Sequence, residues 1–505
     1  MKEDQQAKLS RITGNARVIS VTCLQWGDTG KGKIVDLLMA SWADINARGT
    51  GGANAGHTVS INSKDYILHI IPSGILHDKE GKINAIGRGV AFDPYILNEE
   101  LGILNKEGLS YNNLMISGNA KLVIPPQIAL DRVHEAWSGK GKIGTTGKGI
   151  GPAYEDHAGR RGLVVNDLLN IDILAEKLKK NIREKLRILK SYDSELVSGI
   201  MEDRHLGKGR YYRPDEIFNA DAIIEDYRRY GEQFRGMIHD VENFLRGQLG
   251  KKKILLEGAQ GHLLSVDEGG APHTTSSDCT VPGLVKGVGL RERDVDISFG
   301  VVKFPYMTRV GSGPMPTEIG GEKSGEWCNR DGAGREKEKE AFPETDINSP
   351  DEFIQGIALR QAGNEYGATT GRPRRVGWLD LPLLRYALQS AGAKIILTKA
   401  DVLNNAREIN ICAEHEYQGP DYFYCGKILR AGTRLKIAIP GSEFLRFCRP
   451  VYEKFPGWET DISGISEFDG LPEKLKSLVR FVEKSANAEV AAVSTGKDRE
   501  DTIFI

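Results

Sequence analysis

Two glycine-dense stretches near the start of the chain carry side chains able to do phosphoryl chemistry. The first, Gly27-Asp28-Thr29-Gly30-Lys31-Gly32-Lys33, has the spacing Gly27-x4-Gly32-Lys33. Glycines so spaced let backbone N–H groups approach an anion, and a helix starting behind them favours its negative charge. This is nearly a phosphate loop, but Ile34 stands where such loops carry the Ser or Thr that binds Mg²⁺. Any metal must be held by something else, and the Asp28 carboxylate is the obvious hard ligand. The second stretch, Gly49-Thr50-Gly51-Gly52-Ala53-Asn54-Ala55-Gly56-His57, ends in an imidazole whose small neighbours let it come close to a ligand. Each stretch alone also fits a bland reading, an ordinary strand-to-helix turn and a histidine satisfied by its surroundings.

The flanking elements decide whether these groups are positioned. Residues 18–24 are apolar and predict a buried strand running into the first loop, while Ile34, Val35, Leu37, Leu38 and Met39 predict the buried side of a helix leaving it. Similar polar turns recur downstream. Residues 143–163 combine Thr145, Thr146, Lys148, Arg160 and Arg161 with glycine amides, which suits a phosphate monoester. The run Ile254-Leu255-Leu256 leads into Glu257-Gly258-Ala259-Gln260-Gly261, a position at the carboxyl edge of an α/β sheet where ligands bind. Residues 367–380 set Thr369 and Thr370 beside Arg372, Arg374 and Arg375, able to clamp a carboxylate bidentately. Residues 395–401 predict a buried strand ending in Lys399-Ala400-Asp401, where the aspartate can accept from a guanine N1–H and 2-amino group while the lysine stem packs on the base.

Among the structural segments, residues 66–74 predict a strand closed by Pro72 and Gly74, and 114–123 further β segments. Apolar spacing predicts helices over 171–188 and 223–245. Residues 1–16 read as a loose N-terminal arm before one catalytic domain over 17–505, with insertions near 193–215 and 320–350; the charge-rich part, 320–340, reads as solvated. Residues 405–447 alternate like strands and suggest no chemistry.

Lys plus Arg number 68 against 69 for Asp plus Glu, a formal net charge of -1. Nothing therefore suggests a nucleic-acid or anionic-membrane surface, and the basic residues should act locally. The six cysteines are scattered without a C-x-x-C pair, which argues against a zinc site or disulfide framework. No apolar run is long enough to span a membrane, and the polar start lacks a signal-peptide core, so a cytoplasmic location is expected.

Together the two opening loops resemble the adenylosuccinate synthetase family, whose hallmarks are Gln-Trp-Gly-Asp-Glu-Gly-Lys-Gly-Lys and Gly-Gly-x-Asn-Ala-Gly-His-Thr. The downstream motifs match in the family's order: 144–156, 257–261, 274–277, 308–314, 367–380, 399–401, 456–458 and 494–496. Departures are Thr29 for Glu, Lys148 for Arg and Pro373 for Arg, the last expected to stiffen its loop.

The resemblance implies a large, mostly parallel twisted α/β sheet with helices on both faces and a phosphate-loop-like GTP site. It implies a ligase that makes adenylosuccinate, GDP and phosphate from GTP, IMP and L-aspartate through 6-phosphoryl-IMP. Asp28 would take the N1 proton of IMP, His57 would donate to the transferring phosphoryl group, and Lys33 would neutralise its charge. Mg²⁺ is expected on Asp28 and the Gly56 carbonyl. GTP is expected against Gly27, Thr29, Gly30, Lys31, Gly32, Lys33, Gly56, Thr58, Lys399, Asp401, Ser494 and Gly496. IMP is expected at Thr145, Thr146, Gln260 and Thr275, with Gln260 also taking part in catalysis. Aspartate is expected at Thr369, Thr370 and Arg372, and Asn54, Val310 and Arg374 are expected to bind substrate as well. Arg160 should reach into the neighbouring subunit's IMP site, making the protein a homodimer. Two other readings stay open at this point: the family's viral branch, which makes 2-aminoadenylosuccinate from dGMP, and a guanine-nucleotide-binding regulator without catalysis. Retention of Asp28 favours IMP, and a regulator has no use for the aspartate clamp.

Overall fold

All six residues of Val18–Cys23 are buried, the mark of a parallel strand covered on both faces. In the computed structural model, which describes residues 3–61, 64–202, 217–330, 332–367 and 371–505, this strand is central in a ten-stranded sheet. The order from edge to edge is Ile238–His239, Leu114–Ser117, Ile83–Ile86, Ile45–Arg48, Ile254–Glu257, Val18–Cys23, Ile297–Lys303, Lys394–Thr398, Glu489–Ser494 and Thr502–Phe504. All neighbours pair in parallel except the last two strands.

Alternation along these strands divides the interior in two. Val18, Ile254, Leu256, Ile395 and Leu397 belong to a core completed by the helices Val241–Gln248, Val281–Gly287, Leu381–Ala391 and Glu473–Ala486. Ile19, Val21, Leu255, Phe299 and Ile396 point the other way, against Lys31–Ser41 and Leu9. Helices thus cover both faces, as the resemblance implied. A third core lies beyond the Ile83–Ile86 and Leu114–Ser117 strands, where Pro94–Lys106, Ile171–Leu189 and Ala220–Phe234 pack together.

Several expectations need correction. Far from being a loose arm, Glu3–Thr13 is a helix: Leu9 is buried beside Phe504, and Gln5 Nε2 donates to the Glu500 carbonyl at 2.8 Å. The apolar spacing over 223–245 runs through two helices, Ala220–Phe234 and Val241–Gln248, because Ile238–His239 leaves the helical path to become a sheet edge. The strand expected at 66–74 ends at Leu68, and Ser73–Glu80 is a 3₁₀ turn. Of the expected insertion at 193–215, Ser194–Glu202 is helical and 203–215 lie outside the described residues. The charged stretch after Gly320 is not wholly solvated. It forms Gly321–Asn329 and Arg335–Ala341, and Glu338 from the second is fully buried against Arg360, whose Nε donates at 2.8 Å.

The loops that follow the parallel strands gather along one sheet edge: 24–30, 49–56, 258–261, 304–305, 399–401 and 495–496. This is where a parallel sheet opens to ligands. Two further pairings close the arrangement. His57–Ile61 pairs with Lys64–Leu68, and a Cβ at Gly32 would meet the Thr58 carbonyl at 2.7 Å, so only glycine lets the first loop's helix sit against the second loop. Tyr306–Arg309 pairs with Arg375–Trp378, bringing 308–314 beside 371–375. Among the described residues no helix is long and apolar enough to cross a membrane.

Candidate active site

The backbone marks its own special positions. Among the described residues, eight non-glycine residues have positive φ, and four of them are Asp28 (54°), Arg160 (61°), Gln260 (52°) and Lys399 (66°). Residues held in that sparse region concentrate where function needs a fixed direction. All four were named from the sequence.

Asp28 stands between Gly27 (φ 88°) and Gly30 (φ 76°), which caps the Lys31–Ser41 helix. Its carboxylate is ion-paired with the Arg374 Nε. Glycine-loop and carboxylate-clamp expectations therefore meet in one contact. Thr29 is buried, and its carbonyl accepts from Thr398 Oγ1 at 2.6 Å, which fixes the loop to the strand leading to Lys399.

Lys31, at the helix N-terminus, lies 3.2 Å from His57 Nε2. On the other side, His57 Nδ1 meets Glu257 Oε1. An ionised carboxylate only accepts, so Nδ1 carries the hydrogen and Nε2 presents its lone pair to the Lys31 ammonium. Glu257 is itself fixed by three more donors. Ser73 N reaches it at 2.9 Å, Ser73 Oγ at 2.6 Å and Asn46 Nδ2 at 2.6 Å. Burial, reinforced by Lys31, pulls the His57 imidazole down to about 4, so it is neutral near pH 7. Glu257 is held well below the usual carboxylate range: the attraction of His57 and these hydrogen bonds outweigh its burial.

Lys33 points elsewhere than expected. Its ammonium donates to Ser494 Oγ at 2.8 Å, the Gly496 carbonyl at 2.9 Å and the Asp501 carbonyl at 3.2 Å. Lys31 rather than Lys33 is thus the lysine beside His57; Lys33 ties the helix to the C-terminal loop. Burial lowers Lys33 to about 8 against the pull of Asp501 and Asp401.

Gln260, Asn54 and Thr275 come together from three loops. Gln260 Nε2 donates to Asn54 Oδ1 at 3.0 Å, and Asn54 Nδ2 donates to Thr275 Oγ1 at 3.1 Å. Thr145 and Thr146 are exposed on the loop after Gly141, where the Thr145 amide donates to Glu135 at 3.3 Å. Ser312 Oγ donates to the Ile143 carbonyl at 2.6 Å, seating that loop on 308–314. Val310, 40% exposed, lies 3.4 Å from a Cβ built at Gly27 and so faces the first loop. Arg160 is exposed at the end of Ile150–Ala158.

At the other end, Lys399 Nζ donates to the Gly363 carbonyl at 2.7 Å, and Asp401 Oδ1 is buried with no hydrogen-bond partner among the described residues. Burial raises the Asp401 carboxyl. An unsatisfied buried oxygen next to Lys399 is what a base edge with N–H donors would satisfy. Arg372 is exposed beside Gly371 (φ 66°), Thr58 is exposed near Gly32, and Thr369 and Thr370 lie outside the described residues.

Two groups suit a hard cation: the Asp28 carboxylate and the Gly56 carbonyl, around which a Cβ would find open space. A third cluster, Asp380, Cys412 and His415, is fully buried. There both Asp380 oxygens are already used, Oδ1 capping Leu381–Ala391 and Oδ2 holding His415 Nε2 at 2.8 Å, so the cluster pins a helix to a strand.

Sequence reasoning assigned no role to Glu257, Ser73, Asn46, Lys303 or Glu365. The signal was present for Glu257, a carboxylate at the end of an otherwise apolar strand, where only function or a full set of donors would repay burial. For the others the partners are distant in sequence and only the fold joins them.

Known proteins resemble the chain over nearly its whole length. A family model described as adenylosuccinate synthetase matches residues 20–503. An adenylosuccinate synthetase of Halothermothrix orenii is 39% identical over 493 residues, covering 97% of this chain and 98% of that protein. The fully ligated adenylosuccinate synthetase of Plasmodium falciparum superposes with a TM-score of 0.77 at 32% identity, covering 97% of this chain and 100% of that one. A cyanophage S-2L succinoaminodeoxyadenylate synthetase, bound to dGMP and dATP, reaches a TM-score of 0.51 at 18% identity, which shows a shared fold alone.

Proposed function

The chain belongs to the adenylosuccinate synthetase family, and on that premise we propose how its residues divide the work. The protein is a GTP-dependent ligase that joins IMP and L-aspartate into adenylosuccinate in purine biosynthesis. The chemical problem is the 6-oxo group of hypoxanthine, a poor leaving group. Asp28 takes the N1 proton, charge builds on O6, and O6 attacks the γ-phosphorus of GTP as the bond to the GDP oxygen breaks. The aspartate amine then adds at C6 and phosphate departs.

The contact that carries this reading is Asp28 with Arg374, because it joins the phosphate-loop carboxylate to the loop read as the aspartate clamp. Arg374 shields the base until substrates arrive. Lys31 and His57 form the phosphoryl cradle. A γ-phosphoryl oxygen entering between them draws the Lys31 charge away from Nε2, removing one of the causes that keep His57 unprotonated, and the imidazole gains a proton to donate. Gln260, Asn54 and Thr275 hold the IMP side, with Thr145, Thr146 and Val310 at its phosphate and ribose. Lys399 and Asp401 hold guanine, with Ser494 and Gly496 behind them. Thr369, Thr370 and Arg372 complete the aspartate clamp. Mg²⁺ on Asp28 and Gly56 would neutralise phosphate charge during transfer. Arg160, exposed and held in a left-handed turn, serves the partner's site in a homodimer, and the enzyme is cytoplasmic.

Product formation with GTP, aspartate and Mg²⁺, from IMP and from dGMP in parallel, tests the substrate side. IMP should be converted and dGMP should not. Product mainly from dGMP would reverse the assignment.

A further inference from the structure

We propose that Glu365 is a positioning residue that couples the guanine site to the aspartate site by competing with Asp28 for Arg374; the proposal rests on the roles given above to Lys399 and Arg374. Glu365 is almost fully buried and touches groups from four segments. Its Oε1 accepts from Tyr306 OH at 2.6 Å and lies 3.6 Å from Lys399 Nζ, while its Oε2 accepts from Lys303 Nζ at 2.8 Å and from Arg374 Nη1 at 3.4 Å. Its main chain holds the same neighbours. The Glu365 carbonyl accepts from Arg374 N at 2.9 Å, and the Gly363 carbonyl accepts from Lys399 Nζ at 2.7 Å.

One buried carboxylate thus sits between the lysine of the guanine loop and an arginine of the aspartate loop. The same arginine grips Asp28 with its Nε. Lys303, Tyr306 and Thr308 form the fixed side of this arrangement, for Lys303 Nζ also donates to Thr308 Oγ1 at 2.9 Å. Lys399, one-third exposed, and Arg374, 17% exposed, are the two of these partners that reach solvent.

The consequence is electrostatic. When guanine docks, Lys399 swings its stem onto the base and leaves Glu365 short of one positive neighbour. In a buried setting that charge must be made good, and of the other two cations on Glu365, Lys303 is buried and Arg374 is partly exposed. Arg374 Nη1 already donates to Glu365 Oε2 at 3.4 Å, and shortening that hydrogen bond draws the guanidinium off Asp28. The base is then released only when GTP is seated, and Arg374 shifts in the same step. Because coupling is reciprocal, aspartate should tighten GTP by the factor that GTP tightens aspartate.

Steady-state kinetics on the full-length enzyme test this. In the wild type, saturating GTP should lower the aspartate KM by about tenfold relative to scarce GTP, within the usual range for coupled sites. Glu365→Gln should raise both KM values by about tenfold and abolish that dependence, while the IMP KM stays within about twofold. Tyr306→Phe removes a donor to Glu365 without touching any substrate and should raise the same two KM values together by a few-fold; it decides the matter should Glu365→Gln fail to fold. A rise in only one of the two, or an equal rise in the IMP KM, overturns the proposal. Lys399→Met and Arg374→Met check the premise. If they leave the GTP and aspartate KM values respectively unchanged, the loop assignments fail and the coupling falls with them.

Discussion

Replacing Glu257 by glutamine should cripple phosphoryl transfer while leaving the fold intact, because the hydrogen-bond directions around this residue permit no neutral substitute. Oε1 receives His57 Nδ1 and Ser73 Oγ; Oε2 receives Ser73 N at 2.9 Å and Asn46 Nδ2 at 2.6 Å. If the new amide nitrogen takes the Oε2 place, it faces two donors. If it takes the Oε1 place, the Ser73 hydroxyl can turn round, but His57 must surrender its Nδ1 hydrogen and become the other tautomer. Its Nε2–H then faces the Lys31 ammonium, donor against donor. Either arrangement forfeits a charge-assisted hydrogen bond inside a buried site, about 2–3 kcal/mol, or roughly 30- to 150-fold in kcat. The assay is adenylosuccinate formation at saturating IMP, GTP and aspartate, with Kd for IMP measured beside it. The Kd should hold within about threefold, since Gln260 and Asn54, proposed to bind IMP, make no hydrogen bond to Glu257 among the described residues. Activity within threefold of wild type would refute the assigned tautomer and the role of Glu257.

Other expectations follow from the same structure. The folded-state His57 value of about 4 lies below its ordinary 6.5, so the unfolded chain binds the proton first as pH falls. Stability from this group is complete above pH 6.5 and is lost between 6.5 and 4, by about 3 kcal/mol; denaturant titrations of His57→Gln should have a flatter slope across that window. Glu338→Ala leaves Arg360 buried without its carboxylate and should cost about 3–5 kcal/mol, read as a lowered Tm, whereas a change below about 1 kcal/mol would mean the charged stretch is not structural. If the proposed homodimer forms, inactive Arg160→Leu and inactive Asp28→Asn enzymes should regain about a quarter of wild-type activity when mixed, since a two-fold dimer then contains one complete site in half the molecules. No recovery on mixing would deny Arg160 its role across the interface.

How much of this was readable beforehand depended on locality. The loops ending in Asp28, His57, Gln260 and Asp401 announced themselves because strand, glycine turn and reactive side chain are contiguous, and the sheet places the turns along one edge. The spacing Gly27-x4-Gly32-Lys33 singles out Lys33, whereas the helix rotation sends Lys33 to Ser494 and Lys31 to His57. The pairing of Glu257 with His57, or of Glu365 with Lys303, joins residues with no sequence relation. The N-terminal helix was missed for a related reason. It is polar except for Leu9 and a few neighbours, and its order comes from the Thr502–Phe504 edge it packs on. Likewise, 320–340 reads as solvent-facing because a single buried Glu338 among many charges leaves no periodic trace.

The central claim is that Asp28, freed from Arg374, removes the N1 proton of IMP. Turnover of Asp28→Asn tests it most directly, measured with IMP, GTP, aspartate and Mg²⁺ all saturating and with binding of IMP checked separately. The asparagine keeps the shape but can neither take the proton nor bring a negative charge to the metal. Loss of at least about 10³-fold in kcat, with IMP still bound, is the predicted result. Near-normal turnover would contradict the account.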